Sequence, residues 1–159
     1  MFQIDTVNIM SPLYSIFIVI IMSCTQSDEV QQIVQAEIVS VKVTGTENNY
    51  SFNVGIKSPD KGCEQYANWW EVLSMDGKLI YRRILAHSHV EEQPFVRSGG
   101  VVSISSDQEV IVRAHMNTTG YGNSAFKGTV NSGFTLVRVD SHFASQVEKE
   151  APQPSSCAF

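Results

Sequence analysis

The feature that most constrains the fold is a period of two. In the run YSFNVGI, Tyr50, Phe52, Val54 and Ile56 fall on one side, and Ser51, Asn53 and Gly55 on the other. Successive side chains of a strand point to opposite faces, so this alternation predicts a half-buried antiparallel strand. IVSVKV repeats the pattern, with Val39, Val41 and Val43 on one face and Ser40 and Lys42 on the other. TGTENN and SPDKG read as the turns between strands. Farther along, Val110, Val112, Ala114 and Met116 oppose Ile111, Arg113 and His115. VVSIS and TVNSGFTLVRV supply further strands, and the Gly/Asn-rich NTTGYGNSAFKG reads as a connection. About seven short strands with regular turns and no helical period predict an immunoglobulin-like antiparallel β-sandwich. A small β-barrel is the alternative. The sandwich is expected over residues 37–140, with no repeat and no second domain.

NWWEVLSMDGKLIYRRILA contains the clearest hairpin signal, Asp76-Gly77 between two apolar runs. A two-residue type I′ turn there needs positive φ at both positions. It would set Leu73 opposite Ile80, Glu71 opposite Arg82 and Trp70 opposite Arg83. Glu71 and Arg82 then form a cross-strand ion pair, and Arg83 lies on the Trp70 ring. Both faces of this hairpin carry large apolar groups, so the pattern does not say which points inward.

The N-terminal region carries a second strong signal. Leu13 to Met22, LYSIFIVIIM, is apolar for about ten residues, half of what a helix needs to cross a bilayer, and suits the core of a secretory signal. The preceding segment has Asp5 and no Lys or Arg, unless Met10 is the true start. A buried strand or an uncleaved anchor helix is the competing reading. The run ends in Ile21-Met22-Ser23-Cys24, which resembles the lipobox of bacterial lipoproteins. The resemblance implies that residues 1–23 are a cleaved signal peptide and that Cys24 is lipidated. Residues 24–36 are then a tether, and the chain is exported with the membrane as its partner through that anchor. Thr25 and Gln26 follow the cysteine, and the lack of Asp favours the outer membrane over another periplasm-facing membrane surface.

Loss of residues 1–23 removes one acid and takes the formal charge from −5 to −4. No Lys/Arg cluster marks a nucleic-acid footprint. Cys63 and Cys157 remain. Export permits a disulfide, but Cys157 lies in APQPSSCAF, and residues 141–159 read as a disordered polar tail. The expectation is therefore that Cys63 packs unpaired as a small hydrophobe.

GCEQYANWWEVLSMDGKLIYRRILAHSHVEEQPFVRSGG, then VIVRAHMNTTGYG and a final GF, resembles a family of small secreted or lipoprotein-like proteins from marine and other environmental bacteria. In that family a HxHVxEQPFxRS run and a VRAHMN…GYG run recur. The resemblance spans residues 50–135 and groups Cys63, Tyr66, His87, His89, Glu92, Gln93, Arg97, His115 and Tyr121. It assigns them no chemistry.

Four chemistries compete for these residues. If His87 and His89 lie in a strand they share a face, about 6–7 Å apart at Cβ, close enough to grip one ion. Copper or zinc would suit imidazole, with His115 as third ligand and Cys63, Glu92, Arg97 and Tyr121 in support. Hydrolysis is disfavoured, because the chain has no G-x-S-x-G elbow and no H-E-x-x-H. Tyr66, Trp69, Trp70, Tyr81 and Tyr121 would make a platform for a sugar or peptide if exposed. Finally, Arg82, Arg83, Arg97 and Arg113 would converge with Glu92 and the histidines into a structural polar network. The expected function is an exported, lipid-anchored binding protein, not an enzyme. Its ligand is copper or zinc, or else a protein or glycan.

Overall fold

Nine strands, each antiparallel to its neighbours, form two sheets in the computed structural model, which describes Gln3 and residues 34–158. Apart from Gln3, the proposed signal peptide lies outside the described residues, as do Cys24 and all but residues 34–36 of the tether. The strands are β1 (Glu37–Thr46), β2 (Asn49–Lys57), β3 (Ala67–Ser74), β4 (Leu79–Ile84), β5 (Phe95–Val102), β6 (Val110–Met116), β7 (Gly120–Tyr121), β8 (Ser124–Thr129) and β9 (Gly133–Arg138). One sheet runs β1-β2-β5. The other runs β4-β3-β6-β8-β9, with β7 paired to β6. The orders match the A-B-E and C′-C-F-G layers of an immunoglobulin-like sandwich, with β9 added outside the last strand. No barrel closes. β8 lies where the sequence pattern suggests a connection, because Ser124 to Lys127 pair with β9 and place Ala125 and Phe126 against the two cores.

The expected β2 face is buried as read. Tyr50, Phe52, Val54 and Ile56 pack between the sheets against Trp70 and Val72 of β3 and Val110, Val112, Ala114 and Met116 of β6. Trp70 fills the centre and needs β5 to come close. A Cβ at Gly99 would lie 2.8 Å from the Trp70 ring and 2.7 Å from the Tyr81 hydroxyl, so only glycine fits there. β1 departs from strict alternation. The register shifts between Ile38 and Ser40, which leaves Val39 as the extra residue of a bulge. Ile38, Val41 and Val43 therefore face the core while Val39 is exposed.

The hairpin keeps Glu71 opposite Arg82 and Trp70 opposite Arg83, but its turn differs from the two-residue expectation. Leu73 pairs with Leu79, and the Ser74 amide bonds the Lys78 carbonyl across a three-residue loop. Gly77 alone takes the left-handed conformation, at φ 79°. This is a turn closed by a glycine bulge. Arg83 does not stack on Trp70. It bonds the Ser98 and Ile84 carbonyls, and it is Arg82 that lies over an indole, that of Trp69 at 4.4 Å.

Both faces of the larger sheet are buried at its central strands, β3 and β6. Trp69, Leu73, Ile111, Tyr121 and Ala125 on the second face are covered by Ala144 and Val147 of the C-terminal segment. The expectation of a disordered tail is thus overturned. Ser145–Lys149 forms a 3-10 turn, and the chain runs on to a disulfide between Cys157 and Cys63, with Cα atoms 5.6 Å apart. Cys63 is therefore paired, contrary to the expected free thiol. The bond spans 94 residues, a loop for which chain entropy alone gives about 4–5 kcal/mol.

The tail is seated by charge. Glu71, fully buried, accepts Arg82 Nε and Nη2 at 2.9 and 2.7 Å on one carboxylate oxygen and Arg113 Nε at 2.9 Å on the other. Both arginines stand directly across from it, on β4 and β6. Their remaining donors reach the tail backbone. Arg82 bonds the carbonyls of Val147, Glu150 and Pro152, and Arg113 those of Phe143 and Ala144.

Two outcomes follow for stability. Glu71→Ala strands two buried guanidiniums, and urea unfolding should show a loss of about 3–5 kcal/mol. Gly77→Val forces a β-branched residue to positive φ and sets a Cβ 2.8 Å from that of Ala144. Its melting temperature should fall, by more than the roughly 1 kcal/mol of backbone strain alone implies.

Candidate functional site

The segment Leu85–Pro94 is a loop between β4 and β5, not a strand. Its shape is set by Asp60, a buried carboxylate in the run read from sequence as a turn. Asp60 Oδ1 accepts the Ala67 amide at 3.0 Å, and Oδ2 accepts the His89 amide at 2.8 Å. Gln93 closes the other side. Its amide nitrogen donates to the His89 carbonyl at 2.9 Å, and its oxygen accepts the Ser58 amide at 2.9 Å. These bonds fold the loop so that the His87 and His89 rings stand 4.5 Å apart at an angle of 37°. The sequence places them together correctly, but for a reason other than strand alternation.

His89 is the buried member of the pair. Its ring stacks on Phe95 at 3.8 Å and 12°, and neither ring nitrogen has a hydrogen-bond partner. Asp60 Oδ2 lies 4.0 Å from Nδ1, beyond bonding distance. Burial holds the imidazole pKa below its usual value, and the positive charges of Arg97 and, when protonated, His87 push it the same way. Asp60 and Glu92 oppose that shift without reversing it. His89 is thus a neutral ring at pH 7, with one donor and one acceptor unspent.

Arg97, near the start of β5, holds Glu92 through two bonds, at 3.1 and 2.7 Å. Its guanidinium lies 5.3 Å over the Phe95 ring, opposite in role to the stacked His89. The Glu92 carboxyl is held below the usual range by that bond, and the Arg97 pKa is raised by it. Two shallow recesses open here. One, of about 90 Å³, is lined by Arg83, Ile84, Leu85, Ala86, His87, His89 and Arg97. The neighbouring one is lined by residues 87–92.

His115 does not join them. It stands on the tail-covered face of β6, stacked on Trp69 at 3.7 Å and 11°, with the Tyr121 ring edge-on at 4.7 Å. Its Nδ1 pairs with Asn68 Oδ1 at 2.7 Å, and Nε2 faces Glu148 Oε1 at 3.4 Å. Burial, with Arg82 and Arg113 nearby, lowers its pKa to about 3. The Glu148 carboxylate works the other way, but half of it lies in water, where its field is screened. Tyr121, buried beside Glu71, has its pKa raised. Among the described residues no group of three His, Cys, Asp or Glu side chains could hold a metal ion. The expected copper or zinc site of His87, His89 and His115 is corrected accordingly, and Cys63, spent in the disulfide, is no ligand.

The other expected assemblies also change. Tyr66, Trp69, Trp70 and Tyr121 are all buried, so they form no platform for a sugar. The four arginines divide. Arg82 and Arg113 serve Glu71 and the tail, while Arg83 and Arg97 line the recess. Sequence reasoning missed Asp60 and Asn68, whose roles depend on partners 29 and 47 positions away.

No protein-family model matches the chain, and no solved structure matches it. A protein of Halomicrobium mukohataei whose name reads "Putative lipoprotein" is 32% identical over 118 residues, 71% of this chain. The chain spans 58% of that relative's length.

His115 generates a pH prediction. Its pKa in the folded state lies below that of the unfolded chain, so unfolding takes up a proton as pH falls below about 6.5. Stability should then drop between about 6.5 and the folded value of about 3. The slope is up to ~1.4 kcal/mol per pH unit. His115→Gln lacks this component. Denaturation midpoints of the two proteins, measured across that range, should converge toward low pH.

Proposed function

We propose that the chain is an exported, lipid-anchored binding domain, attached to a membrane through Cys24, that binds a ligand at the 85–94 loop and the start of β5 and catalyses no reaction. The observation that carries the export reading is the Cys63–Cys157 disulfide. Such bonds persist in oxidising compartments and are rare in a reducing cytosol. The apolar run ending in Ile21-Met22-Ser23-Cys24 supports the anchor, and the name of the relative agrees with it. An outer-membrane location rests on Thr25 and Gln26.

Binding is favoured over catalysis by what the side chains do. Among the described residues the hydrogen bond between a serine and a histidine ring is that of Ser141 with His142, 3.5 Å long and on exposed surface, where nothing excludes water. The 85–94 loop and the start of β5 instead hold unspent polar groups in a frame fixed by Asp60 and Gln93. Binding sites are built that way, with a few convergent polar groups on a pre-formed wall.

The anchor has a direct test. In cells supplied with labelled palmitate, the protein should incorporate label and sediment with membranes. Cys24→Ser should abolish the label and move the protein to the soluble fraction. Label that survives this substitution would sink the anchor.

A further inference from the structure

The recess beside His89 has a chemical bias that the loop geometry explains. Its lining carries two guanidiniums, Arg83 and Arg97, and two imidazoles, His87 and His89, and no carboxylate. Arg83 spends Nε and Nη1 on the Ser98 and Ile84 carbonyls, and no described group takes its Nη2. His89 is nine-tenths buried, with both ring nitrogens unpartnered. A buried polar ring without partners costs free energy unless something fills the gap. The remaining wall, Ile84, Leu85 and Ala86, is apolar.

Arg97 shows which group the site prefers. Its fork already holds a carboxylate, that of Glu92, by two bonds. A planar guanidinium and a planar carboxylate match in this geometry. Yet Glu92 is poorly suited to stay. Its side chain is 58% exposed and sits at the neighbouring recess. An exposed ion pair of this kind contributes little and exchanges easily with another carboxylate.

We infer that the recess between β4 and β5 binds a carboxylate on a short apolar stem, which takes the place of Glu92 on the Arg97 fork. The carboxylate lies between Arg97 and the free edge of Arg83, with the His89 ring in the wall beside it. The stem lies against Ile84, Leu85 and Ala86. A recess of about 90 Å³ limits the buried part to a few heavy atoms. Asp60, Glu91 and Glu92 are the acids of the surrounding loops, and Asp60 is committed to backbone amides. The Phe95 ring, fixed in the core with His89 and Arg97 against it, keeps the two contacts in place. This inference rests on the reading of the domain as a binding module. It does not depend on the lipid anchor, so failure of one leaves the other standing.

The test uses the full chain in non-ionic detergent, titrated with butyrate at constant ionic strength and followed by NMR of the His89 ring and the Arg97 side chain. Phosphate and chloride are titrated in parallel. Butyrate should move both sets of resonances, and Glu92→Ala, which empties the fork, should tighten its binding by about 2- to 5-fold, the scale of the exposed ion pair it removes. Arg97→Lys, which keeps the charge and loses the fork, should weaken it by at least as much while melting like the parent. A salt bridge with no ligand role predicts no response to butyrate. That result, or equal butyrate affinity in the parent and Glu92→Ala, would overturn the proposal. So would binding of phosphate in place of butyrate.

Discussion

A carboxylate with no contact with water decides how the second half of this structure is built. Burying Glu71 is unfavourable unless opposite charge meets it at close range. The strand register meets that demand from both sides, because β4 and β6 set Arg82 and Arg113 directly across from it. Two arginines bring ten donors to one carboxylate, and three of them are used there. The rest must find acceptors on a face that is otherwise apolar. They find them in the backbone carbonyls of the C-terminal segment, which is why a polar, proline-bearing tail lies over Trp69, Leu73 and Ile111. The tail's own apolar contribution is small, chiefly Ala144 and Val147 with Phe143 against them. Charge-assisted bonds and one disulfide supply what its hydrophobicity does not.

The parts of the fold legible in the sequence are those where one face meets water. Tyr50, Phe52, Val54 and Ile56 alternate with polar residues, and the pattern names their side of the sheet. Glu71 and Arg82 were readable as a pair because a short turn joins their strands. Arg113 was not, since its place beside Glu71 depends on β3 meeting β6, across 42 positions of chain. The tail left still less trace. Its bonds are made by carbonyl oxygens, which every residue carries, so composition pointed to disorder. Val39 misled for a different reason, because one bulged residue reverses the faces on either side of it.

The histidines show the same division. His87 and His89 were recognisable as a pair, but what brings their rings together is Asp60, reaching across from the loop that follows β2. His115 shares its face with Ile111 and Arg113 as the alternation indicates, yet that face lies under the tail, against Trp69. Spacing reveals which side of a strand a residue occupies. It does not reveal what covers that side, and this is the step at which the three-histidine site failed. The shape of the 85–94 loop has the same hidden origin. It comes from Asp60 and Gln93 gripping backbone groups, so His89 is presented by a frame whose members are scattered along the chain.

Closure of the second face by residues near 150 has a consequence for the order of events. A chain that crosses a membrane with its N-terminal end leading delivers both sheets before the segment that covers Trp69 and Ile111. Until then the Glu71 cluster has arginine donors open to solvent, and Cys63 waits as a thiol. The last step joins it to Cys157, and it can take place only where thiols are oxidised. If the chain is exported as proposed, the domain is finished at its destination, and the seal that completes its layers is also a record that it has arrived.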